Sequence, residues 1–318
     1  VLWCSPRGQV VADYDSRTVS WFTRAKSKAL AAERSQQWDT ENLKLAVRRN
    51  LRLDEIEARV ADEPVPYVRV TVQASTRPFN ERSMYPKRFA VYSVETDPGI
   101  LAIIYRLIDE EKLQSVGAPT QRPAILYVSH QSSDEDLRNE PLIRQMLAAN
   151  PGADFYTCDV RGIGESKPDI HRVERWYADS KQWGAWGAYG SDYMFAGYSL
   201  MLDEPYVGQR TFDVMRVVEW LKSLGHERIH VIGRGWGSLP AAFAAPLSDD
   251  IEQVTLKNAL VSYQAIAESQ RYAWPLSSLI WSVLEDFDLP DLYRELESHK
   301  GLRMIDTWNE NAESLGEE

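Results

Sequence analysis

The spacing of apolar residues changes along the chain and divides it into distinct regions. Residues 17–60 carry apolar side chains at helical spacing, which predicts two amphipathic helices. The apolar positions of these two helices are Trp21, Phe22, Ala25 and Ala29 in the first, and Leu43, Leu45, Ala46 and Leu51 in the second. From Val65 the period falls to two, and the alternation of Val68, Val70 and Val72 predicts a strand. Apolar runs at 89–94 and 100–108 surround the turn Asp97-Pro98-Gly99 and predict an antiparallel hairpin.

Beyond Pro123, short apolar runs alternate with helical patterns. The runs at 124–129, 154–160, 228–232, 253–258 and 301–305 predict strands. Helical patterns lie between them, one ending near residue 150 and the others at 211–224 and 239–247. This alternation is typical of buried parallel strands with helices on both faces. The sequence therefore predicts an α/β fold with a doubly wound, mostly parallel sheet and an antiparallel hairpin at its leading edge. It also predicts two regions, an N-terminal strand and helical appendage over 1–64 and the sheet domain over 65–318.

Composition and charge narrow the function classes. The net charge of −11 argues against a nucleic-acid partner, because phosphate binding favours a basic surface. No apolar run approaches the roughly 20 residues of a membrane span. The sequence also has no cysteine and histidine residues at the spacing of metal ligands, and no phosphate-binding glycine loop. We therefore expect no metal or nucleotide cofactor. The chain begins at Val1 without Met or a signal-peptide pattern, and we expect it to be a piece of a longer precursor whose compartment is not encoded here.

The stretch VIGRGWGSLPAAFAA at 231–245 resembles a strand, a sharp turn and an alanine-rich helix. Gly233, Arg234, Gly235, Trp236 and Gly237 stand at the five positions of the nucleophile-elbow pattern G-x-S-x-G. Position 235, where the pattern has its serine, is glycine. Glycine tolerates the strained dihedrals of such a turn, so the elbow can persist without its nucleophile.

Two further motifs accompany the elbow and strengthen the resemblance to a family. DVRGIGES at 159–166 resembles the D-x-R-G-x-G-x-S loop that follows strand four of the α/β-hydrolase fold. GQRTFDVMR at 208–216 resembles the helix before the nucleophile strand in acetyl xylan esterase and dienelactone-hydrolase-like proteins. Over about 65–309 the chain thus resembles the α/β-hydrolase superfamily, and specifically the degenerate C-terminal module of tandem bacterial proteins of this type. The resemblance implies a setting in carbohydrate-ester degradation, and a secreted or periplasmic location.

The remaining triad positions of this fold predict that the chain is not catalytic by itself. Asp306, at the end of the last predicted strand, matches the acid position, but no histidine follows it. His130 is expected on a loop at the catalytic edge of the sheet. We therefore expect a vestigial elbow, a vestigial acid and no Ser-His-Asp triad in this chain, with chemistry in another domain of a carboxylic-ester hydrolase. Two rival catalytic groups remain open, a displaced serine at Ser238 and a water activated by His130.

Several side chains could instead bind a ligand. Arg234 and the N–H groups of the glycine turn form a potential site for a carboxylate or a uronate, unless Arg234 pairs with a nearby acidic residue. Tryptophans of two insertions could stack on sugar rings, namely Trp176, Trp183, Trp186 and Trp274. The favoured alternative is that these rings pack against the vestigial pocket or a partner domain. The expected partners are an upstream catalytic domain of the same precursor or a second copy of the chain, with carbohydrate as the alternative.

Overall fold

A computed structural model describes residues 3–34, 39–63, 65–72, 88–108, 120–167 and 186–316 of the 318-residue chain. Side chains at 71, 72, 88 and 186–191 are outside this description. Eight strands form one sheet: β1 Val68–Val72, β2 Arg88–Asp97, β3 Ile100–Ile108, β4 Ala124–Val128, β5 Asp154–Asp159, β6 Ile229–Arg234, β7 Ile251–Lys257 and β8 Leu302–Ile305.

The strand order in the sheet is β1-β2-β3-β5-β4-β6-β7-β8. Strands β1 to β3 form an antiparallel leading edge, and β3 pairs antiparallel with β5. From β5 to β8 every neighbouring pair is parallel. The predicted α/β class, with a parallel centre and a leading hairpin, is confirmed. Because β4 to β8 run in one direction, the loops that follow them meet at one carboxyl edge.

Helices cover both faces of this sheet. They are α1 Val10–Tyr14, α2 Val19–Glu33, α3 Thr40–Leu51, α4 Leu53–Glu57, α5 Ser133–Asn139, α6 Pro141–Ala149, α7 Trp186–Met201, α8 Tyr206–Ser223, α9 Ser238–Ala244, α10 Tyr263–Glu268, α11 Val283–Asp286 and α12 Leu289–His299. Of the helices in the described ranges, none combines the length and the apolar character needed to cross a bilayer.

Two predicted helices differ from the sequence expectation in their bounds. The helix predicted at 211–224 starts at Tyr206, because buried Tyr206, Val207 and Arg210 extend its inner face. The helical pattern ending near residue 150 is divided into α5 and α6. Pro141 begins the second of these helices, and the Glu140 carboxylate accepts the N–H of Leu142 at its start.

The N-terminal helices α3 and α4 share the core of the sheet domain. Leu43, Val47 and Leu51 are fully buried in the same apolar cluster as side chains of α8. The approach of the two backbones is close, since a Cβ on Gly208 of α8 would lie less than 3.0 Å from the Leu51 carbonyl oxygen. The boundary near residue 64 remains a prediction, while α3 and α4 contribute directly to core packing.

This packing predicts unequal effects of two leucine truncations in α3. Leu43 is 0 % exposed and Leu45 is 61 % exposed. Leu43→Ala should reduce the free energy of unfolding by about 2–5 kcal/mol, because it leaves a cavity in a packed core. Leu45→Ala should change it by no more than about 0.5 kcal/mol. Urea denaturation of both variants measures the difference, and similar small effects would show that α3 does not stabilise the sheet domain.

Candidate functional site

The glycine turn of the 231–245 stretch forms a strand-to-helix elbow at the carboxyl edge of the sheet. Strand β6 ends at Arg234, Gly235–Gly237 form one 3-10 turn, and α9 begins at Ser238. Gly235 has a φ of 52°, in the left-handed region that glycine adopts without strain. The elbow geometry predicted from the sequence is therefore present, with glycine at its tip.

The imidazole of His130 lies where a side chain at position 235 would project. A Cβ built on Gly235 would come closer than 3.0 Å to Nδ1 of His130. The same nitrogen accepts the backbone N–H of Trp236 at 3.1 Å. In a nucleophile elbow the N–H of the residue after the nucleophile helps to stabilise the oxyanion. Here a side chain of the protein itself takes up that donor.

Aromatic rings of the C-terminal segment pack over His130. Its ring centroid lies 5.5 Å from that of Trp236 and 5.7 Å from that of Trp308, both in edge-to-face geometry. Trp308 in turn contacts Trp274 with 6.2 Å between centroids. The indole N–H of Trp274 donates to the carbonyl of Asn309 at 2.9 Å, and Trp274 is 1 % exposed. Trp236 and Trp308 thus pack edge-to-face against His130 at the elbow, and Trp274 packs against Trp308.

Burial determines the protonation state of His130. Desolvation, together with the nearby positive charge of Arg234, lowers the pKa of His130 from 6.5 to about 4. Because Nδ1 accepts a backbone N–H, the neutral ring carries its proton on Nε2. His130 is therefore neutral at pH 7 and a weak base.

Two carboxylates neutralise the Arg234 guanidinium. Its Nη1 donates to Asp136 Oδ1 at 2.5 Å, and its Nε lies 2.9 Å from Glu140 Oε2. Lys257 also donates to Glu140, at 2.6 Å. The other oxygen of Asp136 accepts the backbone N–H of His130 at 3.0 Å, which ties the histidine loop to the same charge network. Pairing of Arg234 with acidic neighbours, left open by the sequence, is the arrangement found here.

Ser238 and Asp306 both have defined hydrogen-bond partners. The buried Ser238 hydroxyl donates to the Gly235 carbonyl at 2.6 Å, within the first turn of α9. Asp306 follows β8, and its carboxylate accepts the Asn258 side-chain N–H at 3.0 Å and the Ser314 hydroxyl. Each of these side chains therefore stabilises the local backbone fold around the elbow and the last strand.

The motif at 159–166 organises the loops beside His130. Asp159 Oδ1 accepts the Ser129 hydroxyl and the Ser133 backbone N–H, each at 2.7 Å. Asp159 Oδ2 accepts the backbone N–H of Glu165 at 3.0 Å. The buried Asp159 thus joins the loops that follow β4 and β5. Its motif was visible in the sequence, whereas nothing local indicated that Asp136 or Trp308 would also hold His130.

The other histidines lie away from the elbow. Buried His226 contacts the Arg122 carbonyl through Nδ1 at 2.7 Å and the Tyr156 hydroxyl through Nε2 at 2.9 Å, near the amino edge of the sheet. His230 contacts the Thr255 hydroxyl at 2.9 Å. His299 ends α12 and pairs with Glu295. His171 is outside the described residues.

The tryptophans proposed as stacking platforms fall into three groups. Trp176 and Trp183 lie outside the described residues, and Trp186 begins α7 with its side chain undescribed. Trp274 is buried beneath the C-terminal segment.

Cys158 is buried and Cys4 exposed, and both are free thiols. Within the described ranges, no group of three or more His, Cys, Asp or Glu side chains is placed to hold a metal ion.

The chain is similar to several solved structures. A Bacteroides fragilis protein assigned as an acetyl xylan esterase matches with a TM-score of 0.62 at 16 % identity, over 92 % of this chain and 77 % of that protein. The acetyl xylan esterase from Paenibacillus sp. R4 matches with a TM-score of 0.49, also at 16 % identity, over 82 % of this chain and 78 % of that one. No protein-family model matches the chain, and neither does any curated protein sequence.

At this level of identity the first match establishes a shared fold alone. The sheet order, the elbow after β6 and the similarity to an esterase structure agree with the resemblance inferred from the three sequence motifs. The chain has an α/β-hydrolase fold.

Proposed function

We propose that this chain is a catalytically degenerate α/β-hydrolase-like module that acts as a scaffold or accessory domain of a carbohydrate-ester hydrolase. The observation that carries the proposal is the position of His130. Its ring fills the space of a side chain at Gly235 and accepts the Trp236 N–H. An acyl-transfer site needs that space for its nucleophile and that donor for the oxyanion.

Neither rival catalytic group has the environment that its chemistry requires. A serine nucleophile needs access to substrate and a base that takes its proton. Ser238 is buried, and its proton is donated to the Gly235 carbonyl. A general base at neutral pH needs a free lone pair and a pKa near 7. The Nδ1 lone pair of His130 is occupied, and its pKa is about 4.

The packing above the elbow favours a scaffold over a sugar-binding module. An open binding cleft would expose aromatic rings and leave Arg234 available to an anion. Instead, Trp274 is buried under the C-terminal segment, and Asp136 and Glu140 neutralise Arg234. Sugar stacking by Trp176, Trp183 and Trp186 remains the alternative, with chemistry supplied by a catalytic domain elsewhere in the parent protein.

The absence of serine-hydrolase chemistry is the first expected outcome. The purified chain should neither hydrolyse activated acetyl esters nor incorporate a fluorophosphonate probe, since no described serine at the elbow combines exposure with a base. Labelling detected by mass spectrometry, with an active serine esterase as positive control, measures this. Stoichiometric modification of Ser238 that disappears in Ser238→Ala would contradict the proposal and support the rival site.

The occupied elbow predicts a coupling between positions 235 and 130. Gly235→Ala should lower the free energy of unfolding by about 1–3 kcal/mol. The new Cβ would overlap the imidazole, and the alanine would have to adopt the left-handed φ of this position. In a His130→Ala background the same change should cost at least about 1 kcal/mol less, since the ring is gone. Gly152→Ala is the matched control, because a Cβ at that position meets nothing within 4 Å. If Gly235→Ala were as harmless as the control, the ring would not hold this position.

The buried imidazole also predicts a pH dependence of stability. The pKa of His130 is about 4 in the folded state and near 6.5 in the unfolded state, so the unfolded chain binds more protons between these values. The contribution of neutral His130 is therefore complete above pH 6.5 and decreases as the pH falls toward 4, by at most about 3 kcal/mol.

The burial of His230 also lowers its pKa to about 4, and the pKa of His226 is lowered as well, so His130 is one of several groups that contribute to the pH dependence of the whole chain. Comparison of the wild-type chain with His130→Asn isolates the contribution of His130. The asparagine amide retains an acceptor for the Trp236 N–H and does not titrate in this range. Chemical denaturation at several pH values should show a shallower decline in the variant. Equal slopes in both proteins would show that His130 titrates normally in the fold.

A further inference from the structure

The hydrogen bond at the elbow exists in only one protonation state of His130. Nδ1 of the neutral ring accepts the Trp236 N–H at 3.1 Å. A protonated imidazole carries a hydrogen on each ring nitrogen and accepts no hydrogen bond. A proton added at Nδ1 would place two N–H groups against each other at this distance. Protonation therefore replaces an attraction between these two groups by a repulsion.

The charged groups around His130 do not stabilise a protonated ring in this position. Arg234 on β6 supplies the charge that acts on the imidazole, and this charge is positive. Asp136 of α5 and Glu140 of α6 pair with Arg234, and Asp159 at the end of β5 binds the loop backbone. In the described part of the chain no carboxylate pairs with the ring itself, and the rings packed against it are uncharged. A charged imidazole at the elbow would thus lack a compensating charge.

The backbone of the histidine loop is held independently of the ring. The His130 N–H donates to Asp136 at 3.0 Å, and the Gln131 carbonyl accepts the N–H of Gly164 at 2.9 Å. Burial raises the pKa of Asp136, but a protonated carboxyl group retains an acceptor oxygen for this N–H. His130 is only half-buried, so its side chain has access to solvent. Rotation about the Cα–Cβ bond can therefore move the ring while the loop stays folded.

We propose that His130 is a pH-sensitive switch at the elbow, in which protonation of the ring breaks its bond to the Trp236 N–H and turns the side chain out of the space beside Gly235. A Cβ on Gly235 would lie closer than 3.0 Å to the ring, so glycine is what allows the ring to return when the proton leaves. The elbow then has two states, closed with a neutral ring and open with a protonated ring. Both states follow from contacts within this chain, whether or not the chain acts as a scaffold.

Nuclear magnetic resonance of the purified full chain, from neutral pH into the acid range, tests the switch. The nitrogen chemical shifts of the His130 imidazole measure its protonation, and the amide proton of Trp236 measures the hydrogen bond. Burial and the charge of Arg234 lower the pKa of His130 to about 4, so both signals should change with one common midpoint near pH 4. Far-UV circular dichroism should stay constant through this transition. A Trp236 amide that does not respond to protonation of the ring would overturn the proposal, as would a ring that titrates only when the dichroism is lost.

Gly235→Ala tests whether the position of the ring at the elbow sets the midpoint. The new Cβ displaces the ring, so the common midpoint should rise by about one pH unit or more, toward the ordinary value of 6.5. Gly152→Ala is the matched control, because its Cβ meets nothing within 4 Å, and it should keep the wild-type midpoint. An unchanged midpoint in Gly235→Ala would overturn the proposal.

Arg234→Gln provides a second variant, which decides the question if Gly235→Ala does not fold. The glutamine amide retains a donor for Asp136, and loss of the positive charge should also raise the common midpoint. An unchanged midpoint in this variant would likewise overturn the proposal. None of these outcomes depends on esterase activity, so the result is separate from the proposed function.

Discussion

The hydrogen bond between the Trp236 N–H and Nδ1 of His130 sets the chemistry of this elbow. A helix start leaves backbone N–H groups without intrahelical acceptors, and a buried N–H without a partner destabilises the fold. In a serine hydrolase such donors are kept for an oxyanion that exists only during catalysis. Here an imidazole from a loop 106 residues away in the chain accepts the hydrogen bond of this donor. Glycine at position 235 is what leaves room for the ring.

Two charged side chains at the elbow, Asp136 and Arg234, interact with each other and with His130. Asp136 accepts the backbone N–H of His130 with one oxygen and pairs with Arg234 through the other. Burial of Asp136 raises its pKa, while the positive charge of Arg234 opposes this shift. Arg234 also disfavours protonation of the imidazole. The guanidinium of Arg234 thus favours the charged form of Asp136 and the neutral form of His130, and in both groups burial has the larger effect on the pKa.

The two N-terminal helices show how one sequence pattern leads to opposite packing. Both α2 and α3 have apolar residues at helical spacing, and α3 buries its stripe against the sheet domain. In α2 the hydrogen bonds of Arg24 and Arg34 to carbonyls of α10 and α11 select the other face. A helix C-terminus offers unsatisfied carbonyl groups, and guanidinium groups satisfy them. Amphipathic spacing reveals a face, whereas the neighbouring elements determine whether that face is covered.

The sequence by itself determined the features that depend on local pattern. Apolar runs and their spacing predicted the α/β class and the leading hairpin, and the glycines at 233–237 predicted the strand-to-helix turn. The glycine at position 235 and the lack of a histidine among residues 307–318 were likewise visible from the order of residues. Only the tertiary structure decided that the His130 ring lies at the elbow, that Trp308 packs against this ring, and that Phe22 and Ala25 of α2 are exposed. These outcomes join residues that are far apart in the chain, and side-chain packing between distant elements is not encoded in the period of any one of them.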